Sequence, residues 1–297
     1  MIFPNNKKFA FTIIDDTDGD MVENTKPVYQ LLSRLGFKTT KTIWAFKPRD
    51  RFKGMALEDY HYRQYIKKLQ REGFEIALHN VGSGKFNRQD VLDGLEIFRQ
   101  FIGFYPKIQI NHSQNRDSIY WGIKRFSLLR PFWRFSYFKG DDPESIYYWG
   151  DYHKKHIKFT RNFTYQNLNT LKVDPYMPYS DNQKPSANFI FSASEGADVS
   201  KFNKLLSEKN IDDLIKEGGA AIIYTHFASG FVRNGRVDRQ FEKLLIYLAR
   251  LGGWYAPAGD ILEFLLAQKK DKSILRGQKI NLELKWCWDK IKEKIGF

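Results

Sequence analysis

The sequence predicts an α/β protein built as one distorted (β/α) barrel of about seven strands. Two observations carry that prediction. Strand-like and helix-like patterns alternate over most of the 297 residues, as parallel α/β architectures require. Acidic residues or histidines also close several of the strand patterns, and the carboxyl ends of strands are where such sheets bind ligands. The barrel is expected over residues 1–268, with its regular part beginning near Phe9, and a basic amphipathic tail over 269–297.

The first strand is the apolar run Phe9 to Ile14, which stops in Asp15, Asp16, Asp18 and Asp20. Thr17 and Gly19 allow the chain to turn there. Val28, Leu31, Leu32 and Leu35 mark a helix closed by Gly36, and a second strand is expected from Thr39 to Phe46. A helix from Glu58 to about Arg71 leads to the strand Phe74 to Leu78, with His79 at its end. Val91, Leu92, Leu95, Phe98 and Ile102 share one helical face, and the strand Lys107 to Asn111 ends in His112.

From Asp117 to Lys184 the pattern reads as a long aromatic insertion, with a strand expected at Phe132 to Phe138. Long loops at the active face of a barrel usually carry function. Regularity resumes with the strand Asn188 to Ser192, two helices over Val199 to Lys216, and the strand Ala220 to Thr225 ending in His226. A helix at Asp238 to Leu251, a short strand at Gly253 to Ala256 and a helix near Asp260 to Ala267 complete the barrel. The tail is two-sided: Ile280, Leu282, Leu284 and Trp286 alternate like a strand, while Leu284, Trp288, Ile291 and Ile295 have helical spacing.

Composition narrows the class. A chain with 42% hydrophobic and 28% charged residues is globular, and 25 Phe, 16 Tyr and 7 Trp make it rich in aromatic rings. The net charge of +14 points to an anionic partner. No arginine-rich arm, zinc-finger spacing or RNA-binding signature accompanies it, so nucleic acid is not expected. The single cysteine, Cys287, excludes an intramolecular disulfide. The residues MIFPNNKKFAF lack the apolar stretch of a signal peptide and no run has membrane-spanning length, so a cytoplasmic protein touching membranes only peripherally is expected.

Aspartate oxygen and histidine nitrogen together suit Zn²⁺ and related ions, and three protein ligands leave a position open for water. On these residues the chain resembles the polysaccharide deacetylase superfamily, carbohydrate esterase family 4. Ile13-Ile14-Asp15-Asp16 is similar to that family's first motif, in which the first aspartate is the base and the second a metal ligand. His79 matches the first histidine of its second motif, but Ser83 stands where a second histidine is expected. Asn111-His112-Ser113 replaces the arginine and proline of the third motif, Trp149-Gly150-Asp151-Tyr152 echoes the Asp- and Trp-rich fourth, and Ile223-Tyr224-Thr225-His226 matches the last.

The resemblance implies a deacetylase-like barrel and a metal-dependent hydrolase that removes an N-acyl, typically acetyl, group from a carbohydrate. It implies one divalent ion, Zn²⁺ by preference, on Asp16 and His79; with Ser83 in place of the second histidine, either His112 supplies the third ligand from the neighbouring strand or the metal site is altered or lost. Asp15 is then the base, His226 the acid, and Asn80, Trp149 and Asp151 the substrate contacts. His61, His153 and His156 are expected to be structural.

Two other classes fit parts of the sequence. Asp16-Thr17-Asp18-Gly19 after an apolar strand also looks like the nucleophile motif of haloacid-dehalogenase-type phosphatases, which hold Mg²⁺ with more carboxylates. A silent relative that binds an anionic glycan would account for Ser83. The positive charge favours a phosphate- or carboxylate-bearing sugar, nucleotide- or lipid-linked, and the tail's lysines with Trp286 and Trp288 favour shallow contact with an anionic membrane.

Overall fold

The computed structural model describes residues 2–295. Seven parallel strands close into a barrel: β1 (Phe9–Asp15), β2 (Thr40–Ile43), β3 (Glu75–His79), β4 (Ile108–Ile110), β5 (Phe159–Tyr165), β6 (Phe189–Glu195) and β7 (Gly219–Thr225). Closure is made between β1 and β7, which pair in unbroken register from Phe9↔Gly219 to Asp15↔Thr225. On its other edge β1 is shared. Its upper end pairs with β2 through Ile14↔Thr40 and Asp15↔Lys41, while its lower end takes the two-residue strand at Trp254–Tyr255 through Ala10↔Trp254 and Phe11↔Tyr255. That sharing is the distortion.

Every residue of β1, β2 and β4 is buried, as expected of strands covered on both faces. The covering helices include α1 (Val22–Arg34), α2 (Tyr60–Arg71) and α3 (Arg88–Ile102). The last has a reciprocal cap between Asn87 and Asp90 and stops at Gly103, whose φ of 106° lies in the left-handed region that glycine tolerates.

Two expectations in the middle of the chain are corrected. Ser127–Phe135, overlapping the expected strand at Phe132 to Phe138, is a 3₁₀ segment. Pro131 inside it has no N–H to give a ladder. The regular strand of that region is β5, inside the stretch read as insertion, which divides the irregular chain into a β4–β5 and a β5–β6 connection. A register shift between Arg161 and Thr164 breaks the β5–β6 ladder, and such irregularities re-aim side chains beside sites.

The tail's two patterns resolve as the helix Arg276–Ile295. Lys279, Leu282 and Glu283 are buried on one face, which a strand would have split between two. Leu282 O accepts from the Tyr165 hydroxyl at 3.0 Å, Ser127 N donates to Glu283 Oε1 at 2.7 Å, and the Trp286 ring packs on Phe126 and Phe163. No helix among the described residues is long and apolar enough to cross a membrane.

Beneath the barrel mouth lies a sealed ionic cluster. Lys41 Nζ sits 2.9 Å from Asp15 Oδ2 and 3.0 Å from Asp20 Oδ2, with all three side chains buried. The Tyr29 hydroxyl and Phe227 N donate to Asp15, and the Tyr62 hydroxyl donates to Asp20. Removing one partner of such a cluster strands buried charge. Lys41→Met is therefore expected to cost about 3–5 kcal/mol in unfolding free energy, read from denaturant titrations.

Candidate metal centre

The chain leaves β1 through a tight turn that projects Asp18. Asp20 N donates to Thr17 O, Gly19 N donates to Lys53 O, and Gly19 takes φ 76°. The Thr17 hydroxyl meets the Tyr62 hydroxyl at 3.2 Å, tying the turn to the cluster below. Three histidines converge on Asp18. His79 Nε2, from the end of β3, lies 3.1 Å from Oδ1, and His112 Nε2, just past β4, lies 3.6 Å from Oδ2. His226 Nε2, just past β7, lies 3.4 Å from Oδ2.

Asp18, His79 and His112 can each aim one ligand atom at a shared point, those atoms all lying within 4.8 Å of one another. Asp18 Oδ1, His79 Nε2 and His112 Nε2 are buried yet make no hydrogen bond. Buried polar atoms are seldom left so. Three buried polar atoms facing one another without a hydrogen bond fit a divalent ion as the missing partner.

Asn115 Nδ2 donates to Gly82 O and its Oδ1 accepts from Gly84 N, so this Oδ1 is an acceptor 3.0 Å from His112 Nδ1, while Gln114 N reaches the same Nδ1 at a longer 3.4 Å. With the proton on Nδ1, as the shorter contact favours, Nε2 of that ring is the electron-pair donor. Trp44 lies parallel to the His79 ring with centroids 6.4 Å apart, and Phe52 stands edge-on to His112 at 4.7 Å.

The charges are strongly coupled. Burial opposes ionisation of Asp18, but His79, His226 and His112 outweigh it and hold the carboxyl well below its usual range. Burial, the largest cause, lowers His112 and favours the neutral imidazole a metal needs. His226 goes the other way: burial works against its charge, yet the hydrogen bond to Asp18 and the field of Asp16 and Asp18 raise it to about 9. In metal-free protein, folding therefore raises this proton affinity above the ordinary 6.5. The resulting stabilisation is complete below pH 6.5 and is lost as the pH rises through about 9. Thermal melting of chelator-treated protein should fall across that window, and His226→Gln should flatten the fall.

The structure separates the aspartates differently from the first-motif resemblance. Asp16 faces Arg161, whose Nη1 and Nη2 donate to its two oxygens at 3.1 and 2.5 Å. The guanidinium in turn stacks on Tyr224 at 4.4 Å. Asp18, not Asp16, stands among the imidazoles. Asp15 lies in the sealed cluster, pushed up to about 6 chiefly by burial despite Lys41, with both oxygens engaged and no exposed surface.

The three expected substrate contacts are tied into the protein's own structure. Asn80 is buried in a bridging role: its Nδ2 donates to Asp117 Oδ2 at 2.5 Å and its Oδ1 accepts from His112 N at 2.6 Å. Trp149 is fully buried with Nε1 donating to Asp117 O, and Asp151 pairs with Arg88 near the surface. Ser83, at the position of the missing histidine, donates to Asp50. Sequence places Asp18 at the mouth but gives it no role in the deacetylase reading, and gives Arg161 none at all. For Arg161 the available signal was the alternation of Ile157, Phe159 and Phe163 around it.

No family model and no curated protein matches the chain. Solved structures do. A chain from Mycobacterium smegmatis aligns over 93% of this chain and 96% of its own at 14% identity and a TM-score of 0.54. One from Pseudomonas aeruginosa PAO1 aligns over 90% and 93% at 12% identity and a TM-score of 0.55. Both are provisionally named polysaccharide deacetylases. A GH57-type branching enzyme from the archaeon Pyrococcus horikoshii aligns over 90% of this chain and 72% of its own at 10% identity and a TM-score of 0.51. The same barrel thus carries more than one named chemistry, and the likeness speaks to architecture. The chain has the polysaccharide-deacetylase fold, in a divergent form.

Proposed function

We propose that the protein is a metal-dependent hydrolase that removes an N-acyl group, acetyl in the simplest case, from a carbohydrate. The observation that carries the reading is the convergence of three unpartnered ligand atoms, on Asp18, His79 and His112, at the mouth of a deacetylase-type barrel. His112 takes the place that Ser83 leaves vacant, reaching the centre from the neighbouring strand. Zn²⁺ suits the mixed N and O donors. When bound, such an ion polarises an acyl carbonyl and brings the pKa of water from about 15.7 to roughly 7.

The chain's own residues then divide the proton work. Asp16 accepts a proton from the attacking water. Arg161 contributes by fixing the Asp16 oxygens in one orientation. His226, its Nδ1 2.8 Å from Ala197 O, presents Nε2 to the mouth and gives its proton to the departing amine. An imidazole, whose ordinary pKa is about 6.5, can donate a proton near neutral pH.

The phosphatase alternative needs a carboxylate-rich Mg²⁺ site around Asp16. Among the described residues the one metal-competent group is Asp18, His79 and His112, which holds a single carboxylate. The finer substrate reading, an anionic glycan, rests on the net charge of +14. The test is acetate release from neutral and anionic N-acetylated sugars, with and without added Zn²⁺. Zn²⁺-dependent release, faster with anionic substrates and weakened by salt, supports the reading. Metal uptake without release from any of them would favour a silent glycan binder, and phosphate release would move the protein to the phosphatase class.

A further inference from the structure

Most of the exposed large apolar side chains lie on two elements that touch each other: the 3₁₀ segment Ser127–Phe135 with the turn after it, and the C-terminal helix Arg276–Ile295. The first turns Leu128, Phe132 and Phe135 to solvent, Phe135 being 69% exposed, while its Trp133 turns inward beside Tyr120. On the helix, Leu284, Trp288, Ile291 and Ile295 are all at least half exposed. Their spacing places them in one stripe. That stripe lies opposite the face that docks through Lys279, Leu282 and Glu283. The two elements meet where Ser127 bonds Glu283 and Phe126 packs on Trp286.

Charge around this surface has one sign. From Lys124 to Lys139 there are five basic residues and no acidic one. The helix has three acidic residues, and each is engaged with the body of the protein or within the helix. Glu283 is buried on Ser127, Asp289 accepts from Gln166 N, and Glu293 pairs with Lys201 and Lys290. Arg130, Arg134, Lys292 and Lys294 remain exposed beside the apolar stripe.

We infer that this surface seats the protein on an anionic lipid bilayer. An apolar stripe flanked by cations is the pattern of interfacial helices, whose apolar face enters the headgroup boundary while the basic groups meet anionic lipid. A second copy of the chain is a poorer occupant, because a self-complementary contact would set Arg130, Arg134, Lys292 and Lys294 against their own equivalents. The seat adjoins the barrel mouth: Gln166 follows β5 directly, and Lys290 Nζ lies 2.5 Å from Glu195 Oε2 at the end of β6. The inference stands apart from the deacylase reading, since it invokes none of the residues of the metal centre.

The test is co-sedimentation of the full chain with phosphatidylcholine vesicles, with and without phosphatidylglycerol, at low and high salt. Binding is expected only with phosphatidylglycerol, and to fall several-fold as salt screens the attraction. Replacing Phe132, Phe135, Trp288 and Ile291 by Ser should lower partitioning at least about tenfold, as should Gln at the four exposed cations. These side chains are exposed, so melting temperatures should stay at the wild-type value and separate lost binding from lost folding. Failure of the wild-type chain to sediment overturns the inference, as does a Ser variant that sediments like wild type. A concentration-dependent dimer abolished by the same Ser substitutions, without vesicle binding, would assign the surface to a second copy instead.

Discussion

Asp18→Ala is expected to abolish turnover, with a loss exceeding about 10³-fold in kcat that excess Zn²⁺ does not restore. The residue faces His79, His112 and His226 at 3.1, 3.6 and 3.4 Å, so its removal takes away the carboxylate that stands among three imidazoles. Without it, His79 and His112 offer two neutral donors to a divalent cation, too few for the usual three-ligand catalytic site. The check is kcat for acetate release across a Zn²⁺ series. Recovery of most of the wild-type rate at high Zn²⁺ would show that Asp18 is dispensable to the chemistry.

Asp16→Asn should behave differently, losing about 10² to 10⁴ in kcat while the ion stays bound. The amide preserves the shape opposite Arg161 but cannot take up a proton. The same substitution leaves a buried guanidinium without its full counter-charge, so some loss of stability is expected too. Arg161→Lys separates the two effects. It keeps the positive charge but loses the paired donation that orients the carboxylate, and should reduce kcat with little change in KM. Unchanged kcat in Asp16→Asn, measured on protein that melts cooperatively, would remove Asp16 from the proton transfer.

Much of this arrangement was legible in the chain. Strand and helix alternated where apolar residues had to be covered on both faces, and His79, His112 and His226 closed three strands, which brought them to one rim. The choice between Asp16 and Asp18 was not legible by the same reasoning. It depends on a turn through Thr17 and Gly19 that carries Asp18 back over the mouth, and on a guanidinium 145 residues away that claims Asp16. The alternation of Ile157, Phe159 and Phe163 around Arg161 is short and set among equally aromatic loop residues, which mask it.

Asp15 and Trp149 mark a second limit. A carboxylate at a strand end and a tryptophan in an aromatic loop look the same in sequence whether they line a cleft or lie beneath it. Lys41 in one case and Asp117 O in the other decide the matter. The tail shows the opposite situation. Both of its periodicities were present, and the helix prevailed because the barrel offers Tyr165, Ser127 and Phe126 along one side only.

The central claim, a three-ligand centre on Asp18, His79 and His112 with Asp16 outside it, is tested most directly by the metal content of two matched variants. Wild type, Asp16→Asn and Asp18→Asn are purified from Zn²⁺-supplemented medium and compared by elemental analysis, with melting curves confirming that each is folded. The geometry predicts that wild type and Asp16→Asn retain Zn²⁺ in equal stoichiometry while Asp18→Asn loses it. An Asp18→Asn protein that keeps its zinc, beside an Asp16→Asn protein that does not, would contradict the account.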